Sequence, residues 1–182
     1  MGNTYANVTV VDTTVDDVVR ALGSAEALVA GGDGAVVVFA AADEHDGFSA
    51  GITARMLSTA LARSALEVAV FDDDLLQYQL FVDGELVDEA AVPEDVAAEM
   101  VDDSVGEVIP VSSPDRLIAA LGRGSLVAMA DVLATDDLVF VSELHERLAA
   151  ALELPTWAAG WGFHYLDEDP DELPVLVVRT PA

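Results

Sequence analysis

The chain has 182 residues, 53% of them hydrophobic, and no cysteine; it can build one sizeable core but no disulfide, thiolate metal site or cysteine nucleophile. Its 34 acidic residues stand against seven cations, all arginine, for a formal net charge of -27. Such a surface repels polyanions, which argues against nucleic acids and anionic membranes as partners.

Two origins fit the acid excess. A high-GC genome replaces lysine with Arg, Asp, Ala, Val and Gly codons, and life in concentrated salt screens the self-repulsion that so many acids create. No run reaches the roughly 18 apolar residues of a membrane span, and the first residues lack the basic region and apolar stretch of a signal peptide. A cytoplasmic protein is expected.

In chain order, residues 5–11 alternate as a strand, and Thr13 or Thr14 with Asp16 and Asp17 starts a short helix that Gly23 ends. Residues 26–30 and 35–40 predict two apolar strands joined by a glycine-rich turn, the second without polar alternation and therefore covered on both faces. The acidic loop Asp43, Glu44, His45 and Asp46 follows. Ser49 then caps a helix to about residue 64, with Ile52, Met56, Leu57, Ala60 and Leu61 as its apolar face. Residues 66–71 form a further apolar strand, and Asp72, Asp73 and Asp74 lead into a β-hairpin. There Asp83-Gly84 supplies a type I′ turn. A two-residue turn pairs Val82 with Glu85, Phe81 with Leu86, Leu80 with Val87 and Tyr78 with Glu89.

The order β-α-β-β-α-β-β-β predicts an α+β fold: a ferredoxin-like β-α-β-β-α-β core extended by the hairpin. Residues 1–90 make this sheet half and 91–112, with Pro93, Pro110 and six acids, an acidic connecting loop. Residues 113–182 form a mainly helical half ending in a strand pair and packed on the first half. Its helices start at Ser113-Pro114-Asp115, Ser125 and Ser142, the last with Leu144, Leu148, Ala151 and Leu152 as the buried stripe. The closing strands are expected at 161–166 and 173–179.

Three groups of residues bear on function. Asp43, His45 and Asp46 with Asp72, Asp73 and Asp74 offer oxygen and imidazole ligands to a divalent metal, if the two loops converge at one end of the sheet; against this, neither loop has calcium-loop spacing and polar turns give the same pattern. Gly122-Arg123-Gly124-Ser125 at a helix start resembles an anion cradle, but no Walker or dinucleotide pattern accompanies it. Trp157, Trp161, Phe163 and Tyr165 concentrate aromatic area, as a core element or, where exposed, as an interaction patch to which Tyr78 of the hairpin adds. His145 and His164 lack partners at catalytic or ligand spacing.

The stretch from Asp72-Asp73-Asp74 to Glu89, with Glu143-Leu144-His145-Glu146-Arg147-Leu148, Leu154-Pro155 and Phe163-His164-Tyr165, resembles a set of uncharacterised bacterial proteins of similar length. That resemblance implies a shared fold and no activity. It departs where those proteins carry Tyr-Asn-Ser before a proline and this chain has Ala90, Ala91, Val92 and Pro93. The leading expectation is a non-catalytic module that works through a protein partner or its own homo-oligomer, with no cofactor beyond a divalent metal. The rivals are a divalent-metal protein, including a hydrolase, built on the two acidic loops, and a small-ligand sensor.

Overall fold

A computed structural model describes residues 2–44, 51–93, 113–133 and 140–180. The elements run β1 (Tyr5–Val11), α1 (Val15–Leu22), β2 (Ala27–Gly32), β3 (Ala35–Ala40), α2 (Ile52–Leu61), β4 (Ala65–Phe71), β5 (Leu75–Val82) and β6 (Glu85–Val92). They continue with α3 (Pro114–Leu121), α4 (Leu126–Leu133), α5 (Val141–Ala151), α6 (Phe163–Glu168) and β7 (Val177–Arg179). The fold is mixed α+β: six α-helices among the described residues and one open seven-stranded sheet in the order β6-β5-β4-β1-β3-β2-β7. Every neighbouring pair is antiparallel.

Both faces of this sheet are covered, which explains the absence of polar alternation in β3, whose six residues are all buried. On one face α1 and α2 lay Val18, Leu22, Ala54 and Leu57 over Val8, Val10, Val29, Val36 and Val38. On the other, Leu117, Met129, Leu144, Leu148 and Leu152 of the C-terminal helices join Tyr5, Val68, Val70, Leu76, Tyr78 and Leu80 in a single core. The N- and C-terminal halves therefore share buried surface. No described helix is long and apolar enough to cross a membrane.

Four expectations change. The hairpin turn has Asp83 at φ 51° and Gly84 at φ 81°, as its type requires, but a β-bulge follows Phe81–Leu86 and shifts the register by one residue. Leu80 then pairs with Asp88, Gln79 with Glu89 and Tyr78 with Ala90. The unbulged register would set Glu89 beside Tyr78 in the helix-covered core; the bulge puts Ala90 there and turns Glu89 to the opposite face. Second, β6 reaches Val92, so the sheet half runs past residue 90, while residues 94–112 of the expected connecting loop lie outside the described residues.

Third, α2 buries Thr53, Ala54, Leu57 and Ser58, leaving Ile52 and Met56 exposed, whereas Ile52 and Met56 were expected inside. Small side chains let the helix sit close to the sheet, where Ser58 Oγ accepts the Gly84 N–H at 3.1 Å. The expected cap, Ser49, lies outside the described residues. Fourth, the chain ends in one strand rather than a strand pair. β7 occupies the edge beside β2, and the segment expected as a strand at 161–166 forms α6, with Leu166 buried and His164 exposed beside Glu168. An aromatic alternation over so few residues also satisfies the three-residue spacing of Phe163 and Leu166 on one helix face.

Candidate functional site

The face under α1 and α2 changes character along β4, β5 and β6. Across it, Val38 pairs with Val8, Val8 with Glu67, Glu67 with Gln79 and Gln79 with Glu89. The next row on the same face runs Ala6, Ala69, Gln77, Ala91. A carboxylate and two carboxamides thus stand together above buried alanines, in strands that are otherwise apolar.

Glu67 is 2% exposed, and neither of its carboxylate oxygens has a hydrogen-bond partner among the described residues. Gln77 is 8% exposed with its Oε1 equally unpartnered, and so is Oε1 of Gln79, whose Nε2 donates to Glu89 at 3.2 Å. Over them, the turn after β3 brings Asp43, whose Oδ1 accepts from Thr53 Oγ1 at 2.9 Å at the start of α2. Gly51 precedes α2 at φ 65°, and a Cβ there would stand 2.5 Å from Gln79 Oε1 and from the Phe81 ring, so only glycine lets the helix start this close to β5.

Burial pushes the Glu67 carboxyl up to about 8, and the negative charge of Asp43 adds to the shift. Without a compensating partner Glu67 is therefore protonated at neutral pH. Thr53 spends its hydroxyl on Asp43 and Gln79 one amide N–H on Glu89, and neither donor reaches the Glu67 oxygens. What completes such a surface brings hydrogen-bond donors or positive charge.

The sequence-predicted residues are placed differently. His45 and Asp46 lie outside the described residues. β3 and β4 both run antiparallel to β1, so the two acidic loops leave the same end of the sheet with β1 between them. Asp72 Oδ1 accepts the Gly2 N–H at 2.8 Å. Asp73 accepts from Asn3 at 3.0 Å and from Ser142 at 3.3 Å through its carboxylate, and from Val141 at 3.2 Å through its carbonyl. This loop therefore ties the chain start to the first turn of α5. Among the described residues no three His, Asp or Glu side chains come together to hold a metal ion, and the acid that Asp43 meets is Glu67, not Asp72 to Asp74.

Tyr78, expected as an interaction residue, is 1% exposed and donates its hydroxyl to Asp88 at 3.2 Å, so it belongs to the interior. Trp157 and Trp161 are half-buried against Leu28, Ala30, Val37 and Phe39, strapped there by Asn7 Nδ2, which donates to the carbonyls of Ala158 and Trp161 at 3.0 and 3.1 Å. Arg123 is engaged within the protein rather than turned to a cradle at the helix start. Its guanidinium donates to the carbonyls of Asp33, Gly34 and Glu153 at 3.0–3.3 Å and meets Asp12 at 3.5 Å, joining the β2–β3 turn to the helical half. His145 is buried, and its Nδ1 shares a hydrogen bond with the Tyr5 hydroxyl 2.9 Å away, with the two rings stacked.

Glu67, Gln77 and Gln79 are the residues that sequence reasoning missed. The available signals were a single acid inside the apolar run Leu-Glu-Val-Ala-Val-Phe and two glutamines two apart in Leu-Leu-Gln-Tyr-Gln-Leu-Phe-Val. A scan of known protein families and comparisons with curated proteins and with solved structures find no match to this chain.

Proposed function

We propose that the protein is a non-catalytic binding protein, a small-ligand sensor in kind, that receives a ligand on the acceptor-lined face beneath α2. The observation that carries this reading is Glu67, a deeply buried carboxylate with both oxygens unpartnered among the described residues. An acid kept in such a place costs stability unless something completes it. The ligand contributes the missing donors or positive charge, and the field of a chain with net charge -27 draws cations toward it. The order β4-β1-β3-β2, with α1 and α2 on one face, supports a ferredoxin-like core to which the hairpin adds β5 and its two glutamines. The acid excess supports a salt-adapted protein.

The test is thermal unfolding of the wild type and Glu67→Gln in low-salt buffer with chlorides of K⁺, NH₄⁺, methylammonium, Mg²⁺, Ca²⁺, Mn²⁺ and Zn²⁺, matched to NaCl in ionic strength. A cation that binds the native site raises the wild-type Tm beyond the NaCl control and leaves the variant at that control. If every salt shifts both proteins alike, the reading is wrong.

A second reading, a module for protein partners or self-association, is favoured by the exposure of Leu126 and Val127 on α4, of Phe140 just before α5 and of Leu176 before β7. Light scattering across a hundredfold range of concentration tests its homo-oligomeric form. A constant monomer mass removes that form.

A further inference from the structure

The inference that follows rests on the binding reading above and names the ligand. We infer that the face formed by Glu67, Gln77 and Gln79 takes the head of a small primary ammonium cation. The argument begins with a count of acceptors. Among the described residues, Glu67, Gln77 and Gln79 carry oxygens with no hydrogen-bond partner, all on one face of two adjacent strands. Glu67 and Gln79 are direct cross-strand neighbours, about 5 Å apart at Cβ, and Gln77 lies two residues along β5, about 7 Å away. The three side chains therefore stand side by side on one face, within a few ångströms of one another along the sheet. A primary ammonium has three N–H donors and no acceptor, one donor for each side chain.

Charge points the same way. Of the three acceptors only Glu67 is ionisable, which balances one positive charge, and Asp43 adds attraction from the α2 side while bonded to Thr53. A hard divalent cation asks for more anionic oxygens, and among the described residues no three acids converge on it. Ammonium binding and protonation of Glu67 compete for the same oxygens, so occupancy strengthens as pH rises through the range in which Glu67 would otherwise hold its proton.

The experiment is calorimetric titration of the full chain at about pH 9, where Glu67 and the amines are both charged, with methyl-, dimethyl-, trimethyl- and tetramethylammonium chloride. These probes share one charge and lose one N–H at each step while becoming more apolar. The expected result is that affinity falls along the series, by about tenfold or more from first to last, and that Glu67→Gln abolishes the difference. Equal affinity along the series, or affinity that rises with methylation, overturns the ammonium inference. Preference for Ca²⁺ or Mn²⁺ in the cation panel with loss in Glu67→Gln overturns it too while leaving the binding reading standing; loss of all cation selectivity removes both.

Discussion

Replacing Glu67 by glutamine keeps the shape of the side chain and removes its titration, so the effect on stability depends on pH in a defined direction. In the unfolded chain the carboxyl ionises around its ordinary value of 4.5, whereas in the fold burial holds it at about 8. Between those limits the folded protein retains a proton that the unfolded chain releases, and wild-type stability falls as pH rises. Below 4.5 both states are protonated and the residue contributes nothing to the slope; above 8 both are ionised and the full cost of the buried charge is present. At about 1.4 kcal/mol per pH unit, that window corresponds to roughly 5 kcal/mol, a large part of a typical domain's 5–15 kcal/mol. Urea denaturation followed by the fluorescence of Trp157 and Trp161, at fixed ionic strength and without amines, measures it. Urea is chosen because guanidinium is itself a cation. The other acids repel one another in both proteins, so their contribution cancels in the difference between variant and wild type. That difference should start small near pH 4.5, grow steadily and level off above pH 8 in favour of Glu67→Gln. A difference that stays flat over this range would mean that Glu67 is solvated, and the site argument fails with it.

Two further substitutions address what holds the halves together. His145 is buried and its imidazole is pushed down to about 4 from 6.5, so acid stabilises the unfolded chain across that interval; His145→Gln should remove about 3 kcal/mol of acid sensitivity between pH 6.5 and 4, seen as a flatter urea midpoint against pH. Arg123→Lys should cost about 1–3 kcal/mol at neutral pH, because an ammonium cannot span the carbonyls of Asp33, Gly34 and Glu153 at once; an unchanged urea midpoint would show that this clasp is not a stabilising one.

What the sequence made legible followed from local chemistry. The turn at Asp83-Gly84 needs two residues of positive φ, and the start of α1 needs the Thr14 hydroxyl that accepts the Asp17 N–H at 3.2 Å; both are written in adjacent residues. The bulge after Phe81 was not legible, because it serves the far side of the sheet, where it sets Ala90 rather than Glu89 opposite Tyr78. The segment at 161–166 was misread because its short aromatic alternation also fits the helical spacing of Phe163 and Leu166, and the core formed with Leu28, Val37 and Phe39 of distant strands favours the helix α6. Asp72 and Asp73 looked like metal ligands only while their actual partners, the amides of Gly2, Asn3 and Ser142, stood some seventy residues away in the sequence.

Glu67 shows the same limit at the site itself. Alone in β4 it looks like one acid in a chain rich in acids, and Gln77 and Gln79 look like the polar positions of a half-exposed strand. Only the register that sets Gln79 opposite Glu67, beneath a helix that starts on Gly51, turns them into a covered set of oxygens. β4 brings the carboxylate and the hairpin strand β5 brings both carboxamides, so the set forms when the hairpin docks on the sheet. Apolar residues at these positions would pack the same face without desolvation cost and with no loss to the hydrogen-bonded ladder. Stability alone therefore gives no account of Glu67 among the described residues, and the proposed ligand, whose donors would replace the water these oxygens give up on folding, would supply one.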